Sequence, residues 1–158
     1  MVVKALALPV HVPLHTLSPG APVRLTEGEL KADVATALSG VLTIAVPGVA
    51  LWRQVLPILQ VLQPKQVLLA FDADWRTNPH VAKALGQAAF ALVEASYAVQ
   101  VEDWDPALGK GIDDVLARGH SPVLQPAALA FGASLRGRAR VWTGTLATIH
   151  AGEVQPWH

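Results

Sequence analysis

The stretch Phe71-Asp72-Ala73-Asp74 follows the apolar run Val67-Leu68-Leu69-Ala70, so two carboxylates stand two residues apart where a buried strand should end. Two further acidic motifs, Thr26-Glu27-Gly28-Glu29 and Lys110-Gly111-Ile112-Asp113-Asp114, occupy corresponding strand-to-helix junctions. Carboxylates gathered in one cleft repel each other, and their pKa values rise unless a cation neutralises them. A hard divalent ion suits such a set, because Mg²⁺ takes oxygen ligands and keeps room for substrate phosphates. Asp72 and Asp74 are therefore candidate metal ligands, and Glu27 is the candidate catalytic carboxylate.

Each motif also has a plain structural reading. Glu27 and Glu29 fall in a first helical turn, where the macrodipole favours carboxylates whatever their function. Asp72 and Asp74 fit a turn that uses side-chain oxygens to hold backbone N–H groups. Asp113 fits a helix N-cap, and Lys110 fits a solvated loop cation. The conjunction carries more than its parts, since stability alone rarely gathers three such motifs at one edge.

The elements that must position these residues alternate between two periods. Val23–Thr26, Leu42–Val46, Val67–Phe71 and 98–101 read as strands, the second and third as continuous apolar runs of the kind covered on both faces. Thr26 and Glu29 form a capping-box pattern that predicts a helix from Thr26, with Leu30, Val34, Ala37 and Leu38 on its apolar face and Gly40 as its stop. A second helix is predicted over Leu51–Leu62, closed by Pro64. A third starts at an Asn78 cap with Pro79 in its first position, and Val81, Ala84, Leu85, Ala88, Ala89, Leu92 and Val93 form its stripe. A fourth, short one runs from Asp113 to Arg118. Strand–helix alternation with short connections predicts an α/β fold with a mostly parallel four-stranded sheet flanked by helices. In such a sheet, ligands bind beyond the carboxyl ends of the strands, where all three motifs are predicted to lie.

The chain has 158 residues, enough for one domain that buries roughly 68–70% of its unfolded surface. Residues 1–21 read as an N-terminal arm, 22–120 as the domain proper and 121–158 as a C-terminal extension with a possible strand pair around Arg140–Ile149. No apolar run reaches the ~18 residues of a membrane span, and no leader pattern opens the chain, so a cytoplasmic setting is expected. With no cysteine, thiolate zinc sites and cysteine nucleophiles are excluded. The formal net charge is zero, so nucleic acid would have to be met at a local site rather than by a basic surface. His11 and His15 are spaced i, i+4, but Pro13 between them breaks a helical face and argues against zinc. Arg136, Arg138 and Arg140 alternate beside Trp142, as an exposed edge strand or a single-strand contact would. Trp52, Trp75 and Trp104 follow three successive strands, and packing around the loops is the simpler reading of them.

Glu-Gly after the first strand, Asp-x-Asp after the third and Lys-Gly-x-Asp-Asp before a short helix resemble the Toprim fold of primases and topoisomerases. The run from Thr26 to Asp33, taken with Lys110–Asp114, looks most like the uncharacterised Toprim-like domain of plasmid- and phage-type replication proteins, over about residues 22 to 120. The resemblance implies a compact Mg²⁺-binding (or Mn²⁺-binding) domain acting on phosphodiesters, as a primase-type nucleotidyltransferase or a nuclease. By motif, Glu27 would be the general acid/base or a further metal ligand, and Asp72 and Asp74 the metal ligands. Lys110 and Asp113 would lie near the substrate. Lys110 would then present a point charge to phosphate, with Lys31, Arg76 and Arg53 as further phosphate contacts. The implied partners are single-stranded nucleic acid and nucleotides, together with helicase or zinc-ribbon domains of the same or a partner protein, since this sequence carries neither cysteines nor a Walker-type loop. The competing expectation is a Toprim-like module that keeps the fold and serves only for docking. Other Asp-x-Asp enzymes fit less well: dehalogenase-type phosphatases place the motif after their first strand, and here two strands precede it.

Overall fold

The computed structural model describes residues 9–127 and 129–131. Five strands form one sheet in the order β2-β1-β3-β4-β5. They are β1 (Val23–Glu27), β2 (Leu42–Val46), β3 (Gln66–Leu69), β4 (Ala98–Asp103) and β5 (Val123–Pro126). The first four are parallel, and β5 runs antiparallel against β4. The fold is α/β, a Rossmann-like, mostly parallel sheet flanked by helices, as the alternating periods predict. The helices are α1 (Glu29–Ser39), α2 (Leu56–Leu62), α3 (Pro79–Glu94) and α4 (Ile112–Ala117), with 3₁₀ turns at Val49–Val55, Ala73–Arg76 and Pro106–Leu108. None of these helices is long and apolar enough to cross a membrane.

The two faces of the sheet differ in chemistry. On one, Val23, Leu25, Ile44, Val46, Val67, Leu69, Val99 and Val101 are fully buried and pack with Leu59 of α2 and Leu85, Ala89 and Leu92 of α3. Each such side chain contributes about 1.5–3 kcal/mol. The opposite face carries Arg24, Thr26, Thr43, Gln100 and Glu102, all buried. There Arg24 donates Nε to Glu102 Oε2 at 2.5 Å and Nη2 to Oε1 at 3.0 Å, a fork across the intervening strand β3. Its Nη1 also reaches Ser39 Oγ and Thr43 Oγ1. A smaller apolar cluster, Ala35, Ala70, Trp104, Ile112 and Val115, joins α1 and α4 at the end of this face.

Three expectations need correction. Thr26 does not cap α1. It is a buried β1 residue whose hydroxyl donates to Ala70 O at 2.8 Å, and α1 begins after Gly28. Nor does α1 bury Leu30 and Leu38, which are 74% and 54% exposed; it buries Ala32, Ala35 and Thr36. The sheet beneath is polar, and Thr36 Oγ1 accepts the Thr43 N–H at 3.0 Å, so small and hydroxyl side chains fit that interface where leucines would not. The sheet has five strands rather than four, because Val123–Pro126, within the expected C-terminal extension, pairs with β4. Pro126 sits there without penalty on an edge strand.

Of the remaining expectations, Asn78 caps α3 as predicted, accepting from His80 N and Val81 N, and Gly40 closes α1 in a left-handed conformation. The N-terminal arm lies along β2 through paired His11–Ala45 backbone bonds, and His11 Nε2 meets Asp33 Oδ1 at 2.7 Å. The expected strand pair around Arg140–Ile149, with Arg136, Arg138, Arg140 and Trp142, lies outside the described residues.

Candidate functional site

The parallel strands β1 and β3 and the loop after β4 end on the same edge of the sheet, and short-range bonds tie their extensions together. Ala70 N donates to Leu25 O at 2.9 Å, while the Thr26 hydroxyl returns to Ala70 O. Ala73 N donates to Lys110 O at 2.9 Å, fastening the Asp72–Asp74 loop to the Lys110 loop. Asp72 and Lys110 are thus brought together by backbone, although 38 residues apart in sequence.

Glu27 ends β1, and its Oε2 accepts the Val49 N–H at 3.0 Å, which fixes the carboxylate against the start of the 3₁₀ turn after β2. Gly28 follows with φ 92, a left-handed turn that no β-branched residue would tolerate and that aims α1 back across the sheet. The first turns of α1 place Lys31 over the edge. Its ammonium donates to Asp72 Oδ1, and that of Lys110 lies 3.3 Å from Oδ2, so one carboxylate is held between two lysines. The Asp72 side chain is 13% exposed and that of Lys110 is 72% exposed. The hydrogen bond that Lys110 donates to Asp72 raises the Lys110 pKa most, followed by the charges of Asp72, Asp74 and, more weakly, Glu27, while desolvation opposes them. Lys110 is therefore within the field of all three predicted carboxylates.

The loop that carries Lys110 is built around Asp114. Its Oδ2 accepts from Lys110 N at 3.0 Å and from Gly111 N at 3.3 Å, closing the N-terminus of α4. The Asp113 carboxylate and the Lys31 stem both lie against Gly111: a Cβ there would meet Asp113 Oδ1 and stand 3.1 Å from Cδ and Cε of Lys31, so those side-chain ends would have to shift. Asp113 Oδ1 is buried and, among the described residues, accepts no hydrogen bond. Asp74 is exposed within the 3₁₀ turn. Arg76 points elsewhere: its guanidinium pairs with Asp103 at the end of β4 and lies 5.1 Å from the Trp75 ring. Arg53 stacks on Trp52 at 4.4 Å.

Six of the residues singled out in the sequence, Glu27, Lys31, Asp72, Asp74, Lys110 and Asp113, thus share one edge, and Arg76 flanks it. Trp52, Trp75 and Trp104 are all buried, as packing predicts, with Trp104 Nε1 donating to Gly109 O at 3.0 Å. Sequence reasoning missed Asp114 as the brace of the lysine loop and Asp103 as the partner of Arg76. The Gly-x-Asp-Asp spacing signalled the first of these, since a carboxylate at the third helical position reaches back to the N-cap.

Glu27, Asp72 and Asp74 are hard oxygen donors, and the Lys110 ammonium already stands as a cation in their common field. That chemistry fits Mg²⁺. Among the described residues, no three acidic or histidine side chains converge as a cage. Mg²⁺ is commonly bound through one or two carboxylates with substrate phosphates completing its shell, so Asp72 with Asp74 is the donor pair to consider. Residues 16–121, which contain every residue of this edge, match the model of a family described as "Domain of unknown function (DUF3854)". The comparison with curated proteins gives no match.

Proposed function

The chain belongs to the DUF3854 family, and on that premise we propose that it is a Toprim-like domain that binds Mg²⁺ and acts on nucleic-acid phosphodiesters. The observation that carries this reading is the sheet edge that gathers Glu27, Asp72 and Asp74, where the Asp72 carboxylate meets the ammonium groups of Lys31 and Lys110. Asp72 and Asp74 would hold the ion, which supplies neutralisation of charge on a phosphoryl group.

The remaining roles belong to side chains of the edge. Lys110, exposed and protonated, binds a phosphate oxygen as a point charge. Lys31 lies across Asp72 from it and flanks the same phosphate. Glu27 is anchored through Oε2 by Val49 N–H, which orients Oε1 to take or give the proton of an attacking or leaving hydroxyl. The substrates we propose are single-stranded nucleic acid and nucleotides in a replication setting, in the cytoplasm, with zinc-ribbon or helicase domains supplied by the same or a partner protein. Primer synthesis and strand cleavage would draw on the same residues: in synthesis a 3′-hydroxyl attacks a nucleotide and pyrophosphate leaves, and in cleavage water attacks the phosphodiester and a sugar hydroxyl leaves.

The test is an assay on single-stranded DNA and RNA with nucleotides and Mg²⁺, comparing wild type with Glu27→Gln. The expected result is product from the wild type and a loss of about 10²–10⁴-fold in the variant, with nucleic-acid binding retained. Equal product from both would remove Glu27 from the chemistry. One observation favours a second reading: Asp72 already has two ammonium partners, so that carboxylate is neutralised without a metal ion. Under that reading the domain is a docking module, the wild type makes no product, and Glu27→Gln leaves partner binding unchanged.

A further inference from the structure

Asp113 Oδ1 is the polar atom of this edge that stands out energetically. It is buried without a hydrogen bond from any described residue, a costly state for a carboxylate oxygen. Its neighbour is the Lys31 stem. Both Asp113 Oδ1 and the Lys31 Cδ and Cε atoms lie against the point where a Gly111 Cβ would stand. A lysine stem rotates about its terminal bonds, so its ammonium can be directed to either side of that point. Asp72, by contrast, is oversupplied, with Lys31 on Oδ1 and Lys110 on Oδ2.

We propose that Lys31 is a positioning residue with two seats, on Asp72 while the edge is empty and on Asp113 Oδ1 once a divalent cation occupies Asp72. The proposal rests on the metal-binding reading above. The charge balance is local: one cation arrives at Asp72 and one leaves for a carboxylate oxygen that lacked a donor. Lys110 needs no such seat, because its side chain is 72% exposed and swings into water, whereas that of Lys31 is 26% exposed.

The experiment is calorimetric titration of Mn²⁺ into wild type, Asp113→Asn, Lys31→Met and the double variant, each first shown to be folded by its melting curve. The expected result is an affinity about tenfold lower in Asp113→Asn, in line with loss of a hydrogen bond to a charged group. In the Lys31→Met background, Asp113→Asn should change nothing. An equal loss in both backgrounds would mean that Asp113 acts only through long-range charge, and would overturn the two-seat assignment while leaving the metal site standing. No binding by any of the four proteins would remove the metal site and this inference together. A second measurement uses the unaltered chain: the Lys31 ε-methylene resonance, assigned from Lys31→Met, should shift as Mg²⁺ saturates. Saturation with no shift would overturn the proposal even if Asp113→Asn failed to fold.

Discussion

At the scale of the residue, Asp72 is the centre of the edge. Its carboxylate follows a buried strand, is largely covered, and meets one ammonium from α1 and another from the loop before α4. The pairing acts on Lys110 in a definite direction. Asp72, then Asp74 and Glu27, hold its proton more tightly, so its folded pKa lies above the unfolded one. Its contribution to stability is then fully present below the ordinary lysine range and is lost as pH rises through the raised value. An NMR titration of the Lys110 ε-methylene should give a midpoint above the ordinary lysine value, and Asp72→Asn should lower it. A wild-type midpoint at or below the ordinary value would contradict the geometry. The acidic residues were legible in the sequence because a carboxylate straight after an apolar run has few cheap explanations. The unpaired oxygen of Asp113 and the lysine bracket on Asp72 were not, because they depend on how α1 and the Lys110 loop approach each other in space.

At the scale of the element, α3 and α1 show where pattern reading works and where it stops. The apolar stripe of α3 faces a sheet surface made only of Val, Leu and Ile, so hydrophobic period and burial coincide. Its cap is a local device readable from Asn78-Pro79, and Asn78→Ala should cost about 1 kcal/mol, measured by urea denaturation. No change in the midpoint would show that His80 and Val81 N–H groups find other acceptors. The period of α1 misled because the surface beneath it is polar. Thr26, Thr43 and Arg24 present hydroxyls and a guanidinium there, and a helix on such a surface turns its small residues inward. The capping-box pattern at Thr26 failed for the same reason, its hydroxyl being already committed to Ala70 O.

At the scale of the whole molecule, the Arg24–Glu102 fork links β1 to β4 beneath the functional edge, with side chains 4% and 3% exposed. A buried pair is a weak source of net stability, but breaking one partner leaves an uncompensated charge that costs about 3–5 kcal/mol. Glu102→Gln should lower unfolding free energy by an amount near the bottom of that range, while Arg24→Met with Glu102→Met should recover most of the loss. Equal stability of Glu102→Gln and wild type in guanidinium denaturation would show that water reaches Arg24. The mostly parallel sheet and its flanking helices followed from strand–helix alternation, whereas β5 did not, because a four-residue strand holding a proline has almost no periodic signal. The fork was equally invisible, since Arg24 and Glu102 are 78 residues apart.

All of these scales converge on whether the edge binds a divalent cation through Asp72 and Asp74. The direct measurement is calorimetric titration of Mg²⁺ and Mn²⁺ into wild type and into Asp72→Asn/Asp74→Asn. Saturable one-site binding by the wild type that disappears in the double variant is the predicted result. A folded wild type that binds neither ion, alone or with single-stranded nucleic acid, would contradict the metal-dependent reading and leave the docking module in its place.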